Sequence, residues 1–307
     1  MGLRKKKKLL ETEIAGIKMK NPLIVCSGTF GYGKEYSGLI DLDMLGAVVT
    51  KTVTLKPRKG NPPPRIMETA CGILNSIGLE NAGIEKFLDE KLPSLEKFKT
   101  RVIVSIAGES AGEYASLAGI LDKENVDGIE LNLSCPNTGR KELFAQDRDT
   151  VYEITKKTKK RTDKPVIIKL SADVADIGAI AGKAEEAGAD AISAINTVQG
   201  MAVDVSTRKP VFSNVVAGLS GPAIKPIALR AVWQASGSVK IPVIGMGGIM
   251  NAEDALEFIL AGASAVGIGT ALFVDPSSPG KIIKGIESYL VKNGIDGIGK
   301  IVGMMNA

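Results

Sequence analysis

The 307-residue chain contains no histidine. This absence excludes Ser-His-Asp triads, Cys–His nucleophile pairs, HExxH zinc sites and any imidazole base. Proton transfer must therefore rest on Cys, Lys, Tyr, Asp or Glu side chains, or on a cofactor. The three cysteines, Cys26, Cys71 and Cys135, are odd in number, far apart and without a CxxC pair. They argue against a disulfide framework, a zinc site or an iron–sulfur cluster held by this chain alone.

Aromatic residues make up only 4% of the chain, which leaves little material for stacking nucleic-acid bases. No apolar run approaches the ~20 residues of a membrane helix, and no signal-peptide apolar region follows the basic N-terminus. These features predict a cytoplasmic protein without nucleic-acid or membrane partners.

The excess of positive charge is local. Residues 4–8 (RKKKK) carry five positive charges, which equals the whole formal net charge of +5, so the rest of the chain is neutral. A basic tail of this kind could touch nucleic acid or an anionic membrane. We interpret residues 1–10 instead as a flexible, solvated terminus.

Eight short, β-branched apolar runs recur along the chain, and a helical pattern follows most of them. They predict parallel strands at Leu23–Cys26, Ala47–Thr52, Val102–Ile106, Gly128–Leu133, Val166–Leu170, Ala191–Ile195, Pro242–Met246 and Ala265–Ile268. Helices are predicted at Gly112–Leu121, Thr150–Lys160, Ile177–Ala187, Ile224–Ala235 and Ala252–Leu260. Eight strands are the number that closes a TIM (β/α)8 barrel, so we expect a single α/β domain over residues 1–307.

Two gaps break this rhythm. About fifty residues separate the second and third strands, including the Pro-rich Lys56–Arg65, and a similar gap containing Met201–Val216 separates the sixth and seventh. Both gaps are too long for plain loops. They predict hairpins or extra turns inserted over the C-terminal face of the barrel.

Polar residues follow six of the predicted strands, at the barrel face where active sites lie. They lie in the last residues of these strands or directly after them, and they are Cys26–Gly28, Lys51-Thr52, Ser105, Asn132–Asn137, Lys169 and Asn196-Thr197. Taken singly, each has an ordinary explanation, since a lysine at a strand end is usually solvated. Together they place two lysines, two amides and a thiol around one mouth, which predicts a ligand site.

The last two strands end in glycine-rich segments. Gly245–Ile249 precedes a helix with Asn251 in the cap position, and Val266–Thr270 ends the next strand. Exposed backbone N–H groups and a helix N-terminus bind phosphate, and barrels often place such a cradle after strands seven and eight. The sequence therefore predicts phosphate binding, with plain turns as the alternative.

Cys135 lies in the loop that leaves the fourth strand, one residue before a proline. Without imidazole, a thiol whose pKa is lowered by nearby cations is a credible proton acceptor. Cys26 and Cys71 are interpreted as structural residues, because a cysteine is more often a small core residue than a catalyst.

Together these segments resemble the class 1 dihydroorotate dehydrogenases, FMN-dependent enzymes of pyrimidine synthesis. The resemblance covers residues 21–276 approximately. It rests on Ser27–Gly31 (SGTFG), Lys51-Thr52, Asn75–Leu79 (NSIGL), Asn132–Asn137 (NLSCPN), Ile195–Thr197 (INT), Gly218–Pro222 (GLSGP), Gly245–Ile249 (GMGGI) and Gly267–Thr270 (GIGT). Class 1 enzymes have cysteine in the position of Cys135, whereas the membrane-associated class 2 enzymes have serine.

Asn196–Met201 (NTVQGM) and Gly218–Pro226 (GLSGPAIKP) are similar to the 1B subtype. In that subtype the catalytic chain pairs with a second subunit that carries FAD and a [2Fe–2S] cluster and passes electrons to NAD⁺. The resemblance therefore implies such an electron-transfer partner, with this chain as a homodimer within a heterotetramer.

The resemblance also implies roles for individual residues in the oxidation of dihydroorotate to orotate. Cys135 would remove the C5 proton while FMN takes the C6 hydride, and Lys169 would lie near the N1/O2 edge of the flavin. The substrate pocket would contain Lys51, Asn75, Ser76, Ile77, Gly78, Leu79, Asn132, Asn196 and Thr197. FMN would contact Ser27, Lys51, Thr52, Ser105, Asn132, Lys169, Ile195, Gly221, Gly247, Gly248, Gly269 and Thr270, and no metal site is implied.

Two departures and several alternatives remain open. Ser105 stands where the family usually has Asn, so its flavin contact is direct, absent or made through water, and Thr138–Glu142 replaces a glycine-rich stretch. The alternatives are a fumarate-linked 1A enzyme, a uracil or thymine reductase, and a non-catalytic flavin-binding barrel. A tRNA dihydrouridine synthase is a further alternative, which the neutral body of the chain disfavours.

Overall fold

The structure, a computed structural model, describes residues 9–133 and 144–305. Cys135 and the sequence that follows it to residue 143 lie outside the described residues, as do residues 1–8. Leu9 and Leu10 are buried in the main hydrophobic core. These two residues therefore do not belong to the free tail predicted for residues 1–10, because their side chains gain more from packing than from solvation.

Eight parallel strands close into a barrel, in which each strand pairs with the next along the chain and the eighth pairs with the first. They are Leu23–Val25, Ala47–Val49, Arg101–Ile106, Gly128–Asn132, Val166–Leu170, Ala191–Ala194, Val243–Met246 and Ala263–Ile268. The predicted TIM barrel is confirmed. The second strand is shorter than predicted, although the N–H groups of Thr50 and Val53 still donate to carbonyls of the third strand.

The barrel interior is apolar at its amino end. Alternate residues of the strands, such as Ile24, Ile103 and Ile167, form one buried cluster there. A hairpin of Thr12–Ile14 and Ile17–Met19 contributes its apolar side chains to the same cluster and so closes this end of the barrel. The open end is therefore the carboxyl end of the strands.

Helices surround the barrel and bury their apolar faces against it. The five predicted helices are confirmed, with bounds Ala111–Leu121, Arg148–Lys159, Ile177–Glu186, Lys225–Ser238 and Ala252–Leu260. Four begin at a residue whose side chain accepts a hydrogen bond from the first turn, namely Ser110, Asp147, Asp176 and Asn251. The helix predicted from Ile224 begins one residue later, after the 3₁₀ turn Pro222–Ile224.

Further helical segments lie outside the predicted set. They are Ile84–Lys86, the π-turn Phe87–Lys91, Leu92–Leu95, Ala271–Val274, Ser278–Lys292 and the 3₁₀ turns Leu42–Met44, Phe144–Gln146 and Ile298–Lys300. In the part of the chain that the structure describes, no helix is both long enough and apolar enough to cross a membrane.

The two long insertions meet in one antiparallel sheet. The first insertion supplies Ile66–Thr69 and Gly72–Asn75, and the second supplies Val198–Met201 and Val216–Ser220. Gly72–Asn75 pairs with Val216–Ser220, which joins the two insertions. A small ribbon of Val203–Asp204 and Lys209–Pro210 follows the same connection. The prediction of hairpins is confirmed, and the shared sheet follows the sixth barrel strand by four residues, which places it at the open end.

Candidate active site

The barrel interior changes from apolar to polar towards its open end. In the third strand Ser105 follows Ile103 on the inward face, and in the fifth strand Lys169 follows Ile167. Because strand side chains alternate between faces, each of these polar residues lies one layer above the apolar cluster. Ser105 and Lys169 are both buried. The sequence thus builds a polar layer on an apolar floor.

A chain of hydrogen bonds crosses the mouth. Thr52 Oγ1 and Ser105 Oγ share a hydrogen bond of 2.9 Å, and Asn132 Nδ2 donates to Thr52 Oγ1 over 3.2 Å. Asn196 Nδ2 donates to Asn132 Oδ1 over 3.1 Å, and Thr197 N donates to Asn196 Oδ1 over 2.8 Å. Five residues that the sequence predicts for the site, from four different strand ends, therefore lie in one network that fixes both amides.

Tyr114 supports this network and was not predicted. It is fully buried on the helix Ala111–Leu121, and its hydroxyl donates to the Asn132 carbonyl oxygen over 2.8 Å. Phe144 packs edge-on against its ring. A tyrosine on an otherwise apolar helix face is the signal that could have revealed it, since a buried hydroxyl needs a partner.

Lys169 lies in a buried ion pair below the mouth. Its Nζ is 3.4 Å from Ser27 Oγ and 3.6 Å from Glu130 Oε1, and both charged side chains are at most 6% exposed. Ser193 Oγ donates to the other carboxylate oxygen, Glu130 Oε2, over 3.0 Å. Sequence reasoning missed Glu130 and Ser193, although a carboxylate within the buried strand GIELN was a usable signal, because a buried charge requires compensation.

Cys26 lies at the same level and is a poor proton acceptor. Burial raises the pKa of its thiol to about 12, against an opposing effect of the Lys169 ammonium and with a further increase from Glu130. Its sulfur lies 3.8 Å from the Met246 sulfur. The thiol therefore stays protonated at neutral pH. This agrees with the interpretation of Cys26 as a structural residue, whereas Cys71 is exposed in a hairpin turn.

Lys51 follows the second strand and differs from Lys169 in its surroundings. Its backbone N–H donates to Gly31 O over 2.7 Å, which ties the segment after the first strand to the mouth. The side chain is half-buried, and its ammonium makes no hydrogen bond or ion pair with any described residue. Such a group is available to bind an anion.

Three glycine segments, Gly218–Pro222, Gly245–Ile249 and Val266–Thr270, lie close together. Three of their glycines have positive φ angles that favour glycine, +101° at Gly221, +128° at Gly247 and +77° at Gly248. A Cβ atom on Gly248 would lie 2.8 Å from Gly221 O, and one on Gly221 would lie 3.5 Å from Thr270 Cγ2. A Cβ atom on Gly247 would lie 2.7 Å from Ala228 Cβ and 3.4 Å from Ile195 Cγ1. The backbone therefore carries no side chains at the glycines where these segments meet.

An uncompensated polar atom lies beside this cradle. Thr29 Oγ1 is buried and has no hydrogen-bond partner among the described residues, and it lies 3.6 Å from the Cβ position of Gly269. Thr270 Oγ1 donates to Ser220 Oγ over 2.9 Å, which joins the eighth strand to the inserted sheet. Bare backbone and an unpaired hydroxyl suit a phosphate group. Thr29, within the predicted segment Ser27–Gly31, was not singled out from the sequence.

The loop Asn75–Leu79 reaches the mouth through the inserted sheet. Asn75 Nδ2 donates to Gly218 O over 3.1 Å, and a Cβ on Gly218 would collide with Thr197. Asn61 holds the same loop, since its Nδ2 donates to Ser76 Oγ over 2.9 Å and its N–H donates to Ile77 O over 3.0 Å. Gly78 and Leu79 follow with positive φ angles of +74° and +53°. The structure thus brings this loop against Thr197, while Cys135 lies outside the described residues.

A closed parallel barrel with a polar mouth and a phosphate-type cradle after its last two strands defines a (β/α)8-barrel protein with its ligand site on the carboxyl face. The chain belongs to the dihydroorotate dehydrogenase family. The model of that family, described as dihydroorotate dehydrogenase, matches residues 9–290.

Individual relatives are similar over nearly their whole length. A protein of Thermoanaerobacter sp. (strain X514) is 54% identical over 297 residues, which are 96% of this chain and 98% of the relative. One from Desulforamulus reducens is 54% identical over 296 residues, 96% of this chain and 97% of the relative. One from Caldicellulosiruptor saccharolyticus is 52% identical over 298 residues, 97% of this chain and 99% of the relative. All three are named dihydroorotate dehydrogenase B (NAD(+)), catalytic subunit.

Proposed function

We propose that this chain oxidises (S)-dihydroorotate to orotate in de novo pyrimidine synthesis, with FMN in the barrel mouth and with electrons passed through a partner subunit to NAD⁺. The observation that carries the proposal is the network that fixes Asn132 and Asn196 through Thr52. Thr52 directly follows Lys51, whose ammonium has no partner among the described residues. The names of the relatives support the same reaction.

The residues of the mouth fit FMN. The glycine segments and the unpaired Thr29 hydroxyl suit its phosphate, and Lys169 supplies a buried positive charge for the flavin ring. Ser27, Thr52, Ser105 and Ile195 would line the ring. When bound, FMN supplies the two-electron oxidation by accepting a hydride.

The substrate is an anionic ring with an alternating edge of N–H and C=O groups. Lys51 would bind its carboxylate, because an unpaired, half-buried ammonium gains from a charge-assisted hydrogen bond. Asn132 and Asn196 would bind the ring edge, since each amide both donates and accepts. The loop Asn75–Leu79 and Thr197 would complete the pocket on the side of the inserted sheet.

The proton at C5 requires a base, and we assign it to Cys135. Histidine is absent from the sequence, Cys26 stays protonated at neutral pH, and Cys71 lies in an exposed turn. Cys135 follows Asn132 by three residues in the sequence, in the loop after the predicted fourth strand.

Electrons must leave the chain after each turnover. A [2Fe–2S] cluster needs four ligands, usually cysteines, and this chain has three distant cysteines. A partner subunit that carries FAD and [2Fe–2S] would accept the electrons, in a heterotetramer built on a homodimer of this chain. The relatives' name, catalytic subunit, agrees with a separate partner. The proposal includes the cytoplasmic location that the sequence predicts.

Anaerobic mixing of the FMN-loaded chain with dihydroorotate tests the reaction. We expect the visible absorption band of the bound flavin to bleach with dihydroorotate and to remain with dihydrouracil. Bleaching by dihydrouracil alone would identify a uracil or thymine reductase, and no bleaching by either would identify a flavin-binding protein. Efficient fumarate reduction by the isolated chain would contradict the NAD-linked partner.

A further inference from the structure

Among the described residues, Glu130 is the carboxylate that pairs with Lys169, and it lies on the side away from the mouth. The strand register pairs Lys169 with Asn132, whereas Glu130 pairs with Ile167 of the apolar floor. Because Glu130 precedes Asn132 by two residues on the same inward face, its carboxylate lies one layer deeper. Lys169 therefore lies between a buried negative charge below and the open mouth above.

Within the part of the chain that the structure describes, one carboxylate oxygen of Glu130 lacks a hydrogen bond in its pair with Lys169. Glu130 Oε2 accepts a hydrogen bond from Ser193, but Oε1 accepts none from any described residue and is buried. Oε1 lies 3.6 Å from the Lys169 ammonium, beyond the roughly 2.7–2.9 Å of a charge-assisted hydrogen bond. The ammonium is attracted by the carboxylate without close contact, and Ser27 Oγ at 3.4 Å is the hydrogen-bond acceptor that the described residues offer it.

We propose that Glu130 is a positioning residue that sets the reduction potential of bound FMN through Lys169. The carboxylate holds the ammonium at the bottom of the mouth and offsets part of its positive charge. The inference rests on the proposed function, because it requires FMN to lie above Lys169.

Electrostatics gives the direction of the effect. Reduced flavin carries negative charge, so an uncompensated ammonium nearby would favour the reduced form, and charges act strongly where water is excluded. With Glu130 ionised, the pair presents little net charge to the flavin. FMN would then remain reducing enough to pass electrons onward to NAD⁺.

Redox titration of the FMN-loaded full-length chain, without dihydroorotate, tests this role. We expect Glu130→Gln to shift the FMN reduction equilibrium at least about tenfold towards the reduced form, which is about +30 mV for a two-electron couple. The matched control is Glu153→Gln, an exposed glutamate paired with Lys157 on the helix Arg148–Lys159, which should leave the potential unchanged. An unchanged or more negative potential in Glu130→Gln would overturn the inference.

Ser193→Ala provides a second test that keeps both charges. It removes the hydrogen bond to Glu130 Oε2 and so leaves the carboxylate charge less compensated, which predicts a smaller shift in the opposite, negative direction. If Glu130→Gln fails to fold, an unshifted potential in Ser193→Ala overturns the inference. A wild-type chain that binds no FMN would instead contradict the proposed function, so the two failures are distinguishable.

Discussion

Asn196 Nδ2 donates a hydrogen bond of 3.1 Å to Asn132 Oδ1, although 64 residues separate the two along the chain. Asn132 is the last residue of the fourth barrel strand, and Asn196 follows the sixth strand by two residues. The bond decides which way the Asn132 amide points, because its oxygen is used by Asn196 and one of its N–H groups by Thr52. The remaining donor and acceptor capacity of the two amides is what the mouth offers to a ring ligand.

Asn132→Ala should break this network. We expect kcat/KM for dihydroorotate to fall at least about 100-fold, since the loss removes a ligand contact and leaves the Thr52 and Asn196 partners unsatisfied. Steady-state kinetics with the FMN-loaded chain provides the measurement. Asn293→Ala, at the exposed end of the helix Ser278–Lys292, is the control and should retain activity. Equal activity of the two variants would contradict the assignment of Asn132.

Gly248→Ala should weaken FMN binding. The added methyl would lie 2.8 Å from both Gly221 O and Lys225 N, at a φ of +77° that alanine adopts with strain. We expect the FMN dissociation constant to rise at least about tenfold, measured by flavin fluorescence. Gly182→Ala is the matched control, because its Cβ meets nothing within 4 Å inside the helix Ile177–Glu186. It should stabilise the fold by about 0.4–1 kcal/mol without changing FMN affinity. Unchanged FMN affinity in Gly248→Ala would argue against a phosphate site here.

Cys26 should make stability fall at alkaline pH. Its pKa is raised from 9.0 to about 12 in the folded chain, mainly by burial, so above pH 9 the unfolded chain binds fewer protons than the folded one. The contribution of this thiol to the free energy of unfolding is fully present below pH 9. It decreases as pH rises towards 12, by up to about 1.4 kcal/mol per pH unit. Urea unfolding of wild type and Cys26→Ala at pH 8 to 10.5 provides the comparison. The difference in stability between the two should shrink with pH, and a constant difference would contradict a thiol whose pKa is raised in the folded chain.

The barrel was predictable because each of its strands has a recognisable local sequence pattern. Runs such as Val166–Leu170 are buried on both faces and therefore nearly continuously apolar, which a sequence displays without any knowledge of partners. The amino-terminal hairpin Thr12–Ile14 and Ile17–Met19 was missed, because three-residue strands carry too little pattern to recognise. The packing of Leu9 and Leu10 was missed for a related reason, since a basic run precedes them.

The site was predictable as a set of strand ends, and less so as a set of contacts. Lys169 and Asn132 were predicted from their positions at the carboxyl ends of strands. The contact of Lys169 with the Glu130 carboxylate instead depends on pairing between neighbouring strands. The bond from Asn75 to Gly218 joins residues 143 apart, and local pattern does not report such separations. The assignments of individual roles to substrate and FMN remain predictions.

The most direct measurement is the rate at which dihydroorotate reduces FMN in wild type and in Cys135→Ser, by anaerobic stopped flow at neutral pH. We predict that Cys135→Ser still binds FMN but that its FMN is reduced more slowly by orders of magnitude, because a hydroxyl is a far weaker base than a thiolate. Cys26→Ser and Cys71→Ser are the controls and should remain within about tenfold of wild type. A near-wild-type rate of FMN reduction in Cys135→Ser would contradict the assignment of Cys135 as the base.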